Sequence, residues 1–172
     1  MVGALAAVAV AAAAVFTPAA QSARSEHALL EGATSIDVLV ARFLDALGTK
    51  DRQALRALRV TREEYDDLIL PGSDPEGQPL REWPNQVNDY FWSVLHTKSA
   101  YSEDNILAAF GGCHYTVKSI GYRKGTQKFA AYTAYRQLQV VVRDDEGVET
   151  EIRTGSVAEV NGRYKFISFI RD

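Results

Sequence analysis

Val157-Ala158-Glu159-Val160-Asn161-Gly162-Arg163-Tyr164-Lys165-Phe166-Ile167 is a β-rich run split by an Asn-Gly pair. Both turn positions tolerate positive φ, which a two-residue hairpin turn requires. The turn places Val160 opposite Arg163, Glu159 opposite Tyr164, Val157 opposite Phe166, Gly155 opposite Ser168 and Arg153 opposite Ile170. Working outward, Asp144-Asp145-Glu146-Gly147 separates Val148–Val160 from another run of strand-forming residues, Phe129–Arg143. Read as a four-residue loop, it pairs Leu138 with Arg153, Arg136 with Gly155 and Tyr132 with Glu159. A similar loop at Lys124–Gln127 closes a first run, Cys113–Arg123, with Ser119 opposite Tyr132 and Tyr115 opposite Arg136. The four runs are rich in Tyr, Phe, Val, Ile and Thr, the composition of pleated, half-buried strands.

Before Cys113 the period is helical. Ser35 is placed to cap a helix that carries Ile36, Leu39, Val40, Phe43, Leu44 and Leu47 on one side and stops at Gly48. Asp51 starts a shorter helix with Ala54, Leu55 and Leu58 inward. Thr61-Arg62-Glu63-Glu64 has capping-box spacing, and the helix it opens ends at Pro71. Pro71–Pro79 is a loop of prolines and glycines. Val87, Tyr90, Phe91, Val94 and Leu95 repeat at helical spacing after Pro84, and Ser102 is read as the cap of a further helix ending at Gly111-Gly112. Helices first and strands last imply an α+β protein, with N-terminal helices packed on a strongly curved antiparallel sheet of about four strands.

Met1–Ala23 stands apart. An apolar run from Val2 to Phe16 is broken by Thr17-Pro18, and Ala20-Gln21-Ser22 offers small residues at signal-peptidase spacing. No lysine or arginine precedes the run, and it is short for a bilayer span. We expect a cleaved leader at 1–23, an exported protein without a stable membrane span after processing, a flexible lead-in at 24–34 and one domain at 35–172. An uncleaved anchor is the alternative. The chain carries 19 basic and 22 acidic residues, a formal net charge of −3, without a basic block, so a nucleic-acid partner is not indicated. The single cysteine, Cys113, excludes an intrachain disulfide and reads as a small buried apolar residue.

Opposed residues share a face. On this register Tyr115, Tyr132, Arg136, Arg153, Glu159 and Ser168 fall on one largely apolar face, assigned to the helices. Charges there suggest a pocket in which arginines hold an anionic group, tyrosines donate hydrogen bonds and Glu159 acts as acceptor or general base. The structural alternative is a self-satisfied ion cluster. The opposite face, with Gln137, Gln139, Ile167 and Phe169, has the mixed polarity of a subunit interface and suggests a homodimer. His27, His96 and His114 lack the spacing of metal ligands, and neither a phosphate loop, a nucleophile elbow nor a dinucleotide fingerprint occurs, so no cofactor is expected. Trp83, Tyr90, Phe91 and Trp92 read as core aromatics, with a hydrophobic ligand site as the alternative.

The helical first half, the curved sheet and a last strand reading Gly162-Arg163-Tyr164-Lys165-Phe166-Ile167 resemble the nuclear transport factor 2-like, or SnoaL-like, superfamily. The resemblance implies a cone-shaped pocket and dimerisation through the sheet. It carries over no catalytic residue, because those differ between branches. An early strand usual in that family is not evident here. It leaves three functional readings: an exported domain binding a small, partly apolar molecule or a partner; an isomerase, cyclase or hydrolase using Glu159; or an interaction module with a filled cone.

Overall fold

The computed structural model describes residues 28–170; the apolar run, the cleavage site expected near Ser22 and the last two residues lie outside the described residues. The expected N-terminal caps form at three helices. Ser35 Oγ accepts from Val38 N at 3.2 Å and starts α1 (Ile36–Gly48). Asp51 Oδ1 accepts from Ala54 N at 2.9 Å and starts α2 (Arg52–Ala57). At α3 (Arg62–Glu64) both bonds of the capping box are made, Glu64 N to Thr61 Oγ1 at 3.1 Å and Thr61 N to Glu64 Oε2 at 2.7 Å. This helix then widens into a π-helical turn, Tyr65–Ile69, which the apolar spacing does not reveal.

The two helices expected around Ser102 are one, α4 (Asn85–Phe110), 26 residues long. No glycine or proline interrupts Asn85–Phe110, and the Ser102 hydroxyl has no backbone amide to cap inside a continuous helix. Cys113 is exposed rather than buried, because the chain leaves α4 there and the strand begins two residues later.

The strands are β1 (Tyr115–Tyr122), β2 (Thr126–Lys128), β3 (Thr133–Tyr135), β4 (Leu138–Asp144), β5 (Glu149–Arg153), β6 (Val157–Val160) and β7 (Arg163–Phe166). They form two antiparallel sheets, β1-β4-β5 and β2-β3-β6-β7, which with the helices make the α+β class expected. The Asn161-Gly162 hairpin has the expected register, Val160 opposite Arg163 and Val157 opposite Phe166.

The other two registers are corrected. At the Asp144 turn, Asp144 N bonds Val148 O at 3.1 Å and Gly147 has φ +83, so the loop holds three residues rather than four. A type I turn closed by a left-handed glycine makes such a loop. Arg153 consequently faces Gln139, and Glu159 faces Thr133. At the first hairpin the chain does not reverse at Lys124–Gln127, although Gly125 N closes a turn on Tyr122 O at 3.2 Å. Gly125, at φ +67, kinks a strand that resumes as β2, and the chain reverses at Phe129–Tyr132, where Phe129 N bonds Tyr132 O at 2.9 Å. Tyr115 therefore lies opposite Asp144, and Ser119 opposite Val141.

Two interruptions also switch side-chain parity. Between β3 and β4, Gln137 takes φ +56. Between β5 and β6 the chain passes through Thr154-Gly155-Ser156, and a Cβ on Gly155 would lie 2.6 Å from Ser168 Oγ. Leu138, Val140, Val142 and Ile152 face the same cluster as Tyr135 and Val157, although their numbers have opposite parity.

That cluster joins the apolar stripe of α1, Leu39, Val40, Phe43 and Leu47, to Ile106 of α4 and Phe169. Phe43, Phe166 and Phe169 pack with tilted rings, their centroids 5.0 to 6.0 Å apart. A second cluster covers the other face of the four-stranded sheet. Leu29, Val60, Tyr65, Leu68, Ile69 and Leu70 pack there on Tyr132, Ala134, Ala158 and Val160. The central strands of this sheet, β3 and β6, are thus packed on both faces. Its β7 edge is also covered, since Ala33 exchanges two backbone bonds with Tyr164, and Val60 N bonds Phe166 O at 2.9 Å. Covering an edge in this way removes a template for unwanted strand pairing. Within the lead-in, the described residues are therefore tied down, with Leu29 and Ala33 buried.

Candidate functional site

The corrected registers scatter the Arg136, Arg153 and Glu159 trio. Arg153 pairs with Glu151 two residues along its own strand, and its side chain is half exposed. Arg136 reaches across the hairpin, its Nη1 donating to Gln127 Oε1 at 2.9 Å. Glu159 Oε1 accepts from Gly162 N at 2.7 Å and so braces the Asn-Gly turn. The one-residue change at Asp144 and the parity switch at Gly155 separate these groups, as a slip in a period-two element must. The tyrosines separate too. Tyr115 donates to Phe110 O at 3.0 Å, tying β1 to the end of α4, and burial pushes its pKa up to about 12. Ser168 is buried against Gly155.

Of the four residues expected at a dimer face, Gln137 and Phe169 are buried within the chain, while Gln139 and Ile167 are half-buried. Phe169 is 1% exposed and Gln137 7%. Ile167 packs against the second cluster, and Gln139 donates to Glu151. The mixed polarity that suggested an interface comes from residues on both sides of the parity switches.

Tyr132 and Glu159 both line an outer cleft of about 440 Å³. Its walls are Glu76-Gly77-Gln78 of the proline loop, the Phe129–Thr133 turn and Glu159-Val160-Asn161. The loop is held against the turn by Ala130 N to Asp74 O at 2.8 Å and by a Lys128–Glu76 contact at 3.6 Å. Gly72 allows the close approach, since a Cβ there would meet the Ala131 backbone nitrogen at 3.1 Å. Tyr132 stacks on Phe129 with centroids 4.9 Å apart, and burial drives its pKa far above the usual tyrosine value. The lining has acidic, basic, amide and hydroxyl groups, so it suits a polar ligand better than an apolar one. Among the described residues no group of three or more His, Cys, Asp or Glu is placed to hold a metal ion, and no helix is long and apolar enough to cross a membrane.

Sequence reasoning missed two buried charge clusters. In the first, Glu64, beyond its capping role, takes Leu30 N at 2.7 Å and Lys165 Nζ at 2.9 and 3.0 Å. In the second, Glu103 of α4, 1% exposed, takes Arg52 Nη1 and Arg56 Nε, each at 3.2 Å. Arg52 also pairs with Asp104. Arg59, 5% exposed, lies deeper, its guanidinium carbon 5.9 Å from the centre of the Phe169 ring. Burial lowers its pKa from the ordinary arginine value, and the nearby Glu103 charge opposes that shift. A signal for this cluster exists in the sequence: Arg52 and Arg56 are at i,i+4 spacing on one helical face, as are Ser99, Glu103 and Ile106. The aromatic group divides. Trp92 packs on Tyr65 at 5.4 Å, whereas Tyr90 and Phe91 are exposed.

Compared with known proteins, the chain matches no family model, no curated protein and no solved structure.

Proposed function

We propose that this chain is a non-catalytic binding domain, exported after removal of its leader, that takes a small polar molecule in the cleft between the proline loop and the two strand turns. The observation that carries the reading is the cleft itself, whose lining includes Tyr132, Glu159, Lys128, Gln78 and Thr133. The α1-facing side of the sheets, where the superfamily resemblance implies a cone, is packed with Phe43, Phe166 and Phe169, each no more than 1% exposed. That packing favours the filled-cone reading over an interior ligand and moves binding to the outside. An isomerase or hydrolase role for Glu159 would need its carboxylate free to accept a proton, and one of its oxygens already serves the turn.

The test is a thermal-shift screen of the purified protein against monosaccharides, amino acids and dipeptides, followed by calorimetry. A polar compound is expected to raise the melting temperature of wild type. Glu159→Gln should bind it at least about tenfold more weakly, with stability within about 0.5 kcal/mol of wild type because the site is at the surface. Equal binding by Glu159→Gln and Lys128→Ala would place the ligand elsewhere. Turnover abolished by Glu159→Gln would establish the enzyme reading instead.

A further inference from the structure

We propose that the cleft lined by Lys128, Tyr132 and Glu159 takes a small molecule bearing a protonated amine, its ammonium received by the carboxylates of Glu159 and Glu76. The inference rests on the reading that this cleft is the binding site, and it names the charge of what the site holds. The lining has three formally charged side chains, Glu76, Lys128 and Glu159, so two carboxylates stand against one ammonium. The surplus is negative, and a concave site of one sign concentrates ions of the other.

The two carboxylates differ in what they already hold. Lys128 Nζ lies 3.6 Å from Glu76 Oε1, with both side chains 66% exposed. An ion pair so open to water contributes little, so a ligand ammonium displaces Lys128 at small cost. Glu159 accepts from Gly162 N at 2.7 Å. A backbone amide has no net charge, so that bond leaves the carboxylate's charge uncancelled. Among the described residues no ion pair is made to Glu159.

The rest of the lining suits an ammonium, whose hydrogens each need an acceptor. Gln78 and Thr133 bring an amide oxygen and a hydroxyl to the same cleft. Phe129 and Tyr132, stacked at 4.9 Å, bring aromatic rings, whose negative faces attract a cation and repel an anion. A divalent metal fits less well. Calcium takes about six to eight oxygen ligands, and among the described residues no group of three or more His, Cys, Asp or Glu is placed to hold a metal ion.

The test uses the whole chain and probes of one size: propylammonium chloride, sodium propionate and 1-propanol, each at the same ionic strength. Propylammonium is expected to raise the melting temperature of wild type saturably beyond sodium chloride, and the other two are not. Glu159→Gln should weaken its apparent affinity at least about tenfold, the loss of a charge-assisted hydrogen bond. Lys128→Ala removes a competing ammonium and should tighten binding about two- to fivefold. Should Glu159→Gln fail to fold, Lys128→Ala decides alone, because that side chain is exposed and outside both cores. A propionate response that Lys128→Ala abolishes would overturn the amine and keep the cleft. A propylammonium response equal in wild type and both variants would overturn the cleft as well. No response of wild type to propylammonium overturns the inference, whether or not a neutral compound is found to bind there.

Discussion

Glu64 and Arg59 are buried to nearly the same degree, 6% and 5% exposed, yet their hydrogen-bonding states are opposite. The two oxygens of Glu64 accept from Leu30 N, Thr61 N and Lys165 Nζ, filling the lone-pair sites of an ionised carboxylate. Arg59 keeps two buried donors unused. The first charge joins the lead-in, the start of α3 and the last strand, so its role is complete inside the fold. The second has the Phe169 ring beneath it and the Glu103 charge nearby, but the hydrogen bonds that would offset its desolvation are not made. Burial alone therefore does not fix the hydrogen-bonding state of a charge in this molecule.

The sharpest way to break that contrast is Glu64→Ala. It strands Lys165 in the second cluster and frees two backbone amides, so chemical denaturation should show a loss of about 3–5 kcal/mol. A loss under about 1 kcal/mol would mean that water reaches Lys165 and that Glu64 is not the pin described. Arg59→Met should behave oppositely. Replacing a charge with unmet hydrogen bonds by an apolar chain of similar length is expected to change stability by no more than about 1 kcal/mol, in the stabilising direction. A loss of about 3 kcal/mol would show that a partner carboxylate is already in place.

The smallest effect concerns protons on tyrosines. Burial pushes the pKa of Tyr115 and of Tyr164 up to about 12, from an ordinary value of about 10. A raised folded-state pKa means that the folded protein holds its protons more tightly. Their contribution is complete below about pH 10 and is lost as the pH rises toward about 12. Urea midpoints across that window, read beside tyrosinate absorbance, should fall as the absorbance rises. A flat midpoint with full ionisation by pH 11 would show both hydroxyls open to solvent.

How much was legible follows from distance along the chain. The caps at Ser35, Asp51 and Thr61, the apolar stripe of α1 and the Asn161-Gly162 hairpin each depend on residues within a few positions, and each is found where the sequence places it. Of the candidate residues, Tyr132 and Glu159 line one cleft, for a reason other than the register read from the sequence. They share a cleft because the proline loop folds over two turns, not because they oppose one another in register. Arg136, Arg153 and Ser168 could not be placed, because each lies at or beyond a switch of side-chain parity.

By itself the sequence determined the α+β class, three helix starts, the closing hairpin and the residues apolar enough to form cores, because local hydrogen bonds and periodicity are set by near neighbours. Tertiary structure decided the rest. A three-residue loop in place of four reversed a register, left-handed Gln137 and close-packed Gly155 exchanged the faces, and α4 ran unbroken through Ser102. It also decided which charges would be buried and with whom. Glu64 finds Leu30 34 residues away and Lys165 101 residues away. Such partnerships form when two elements pack, and no local pattern encodes whether the last donor of an arginine will meet an acceptor there.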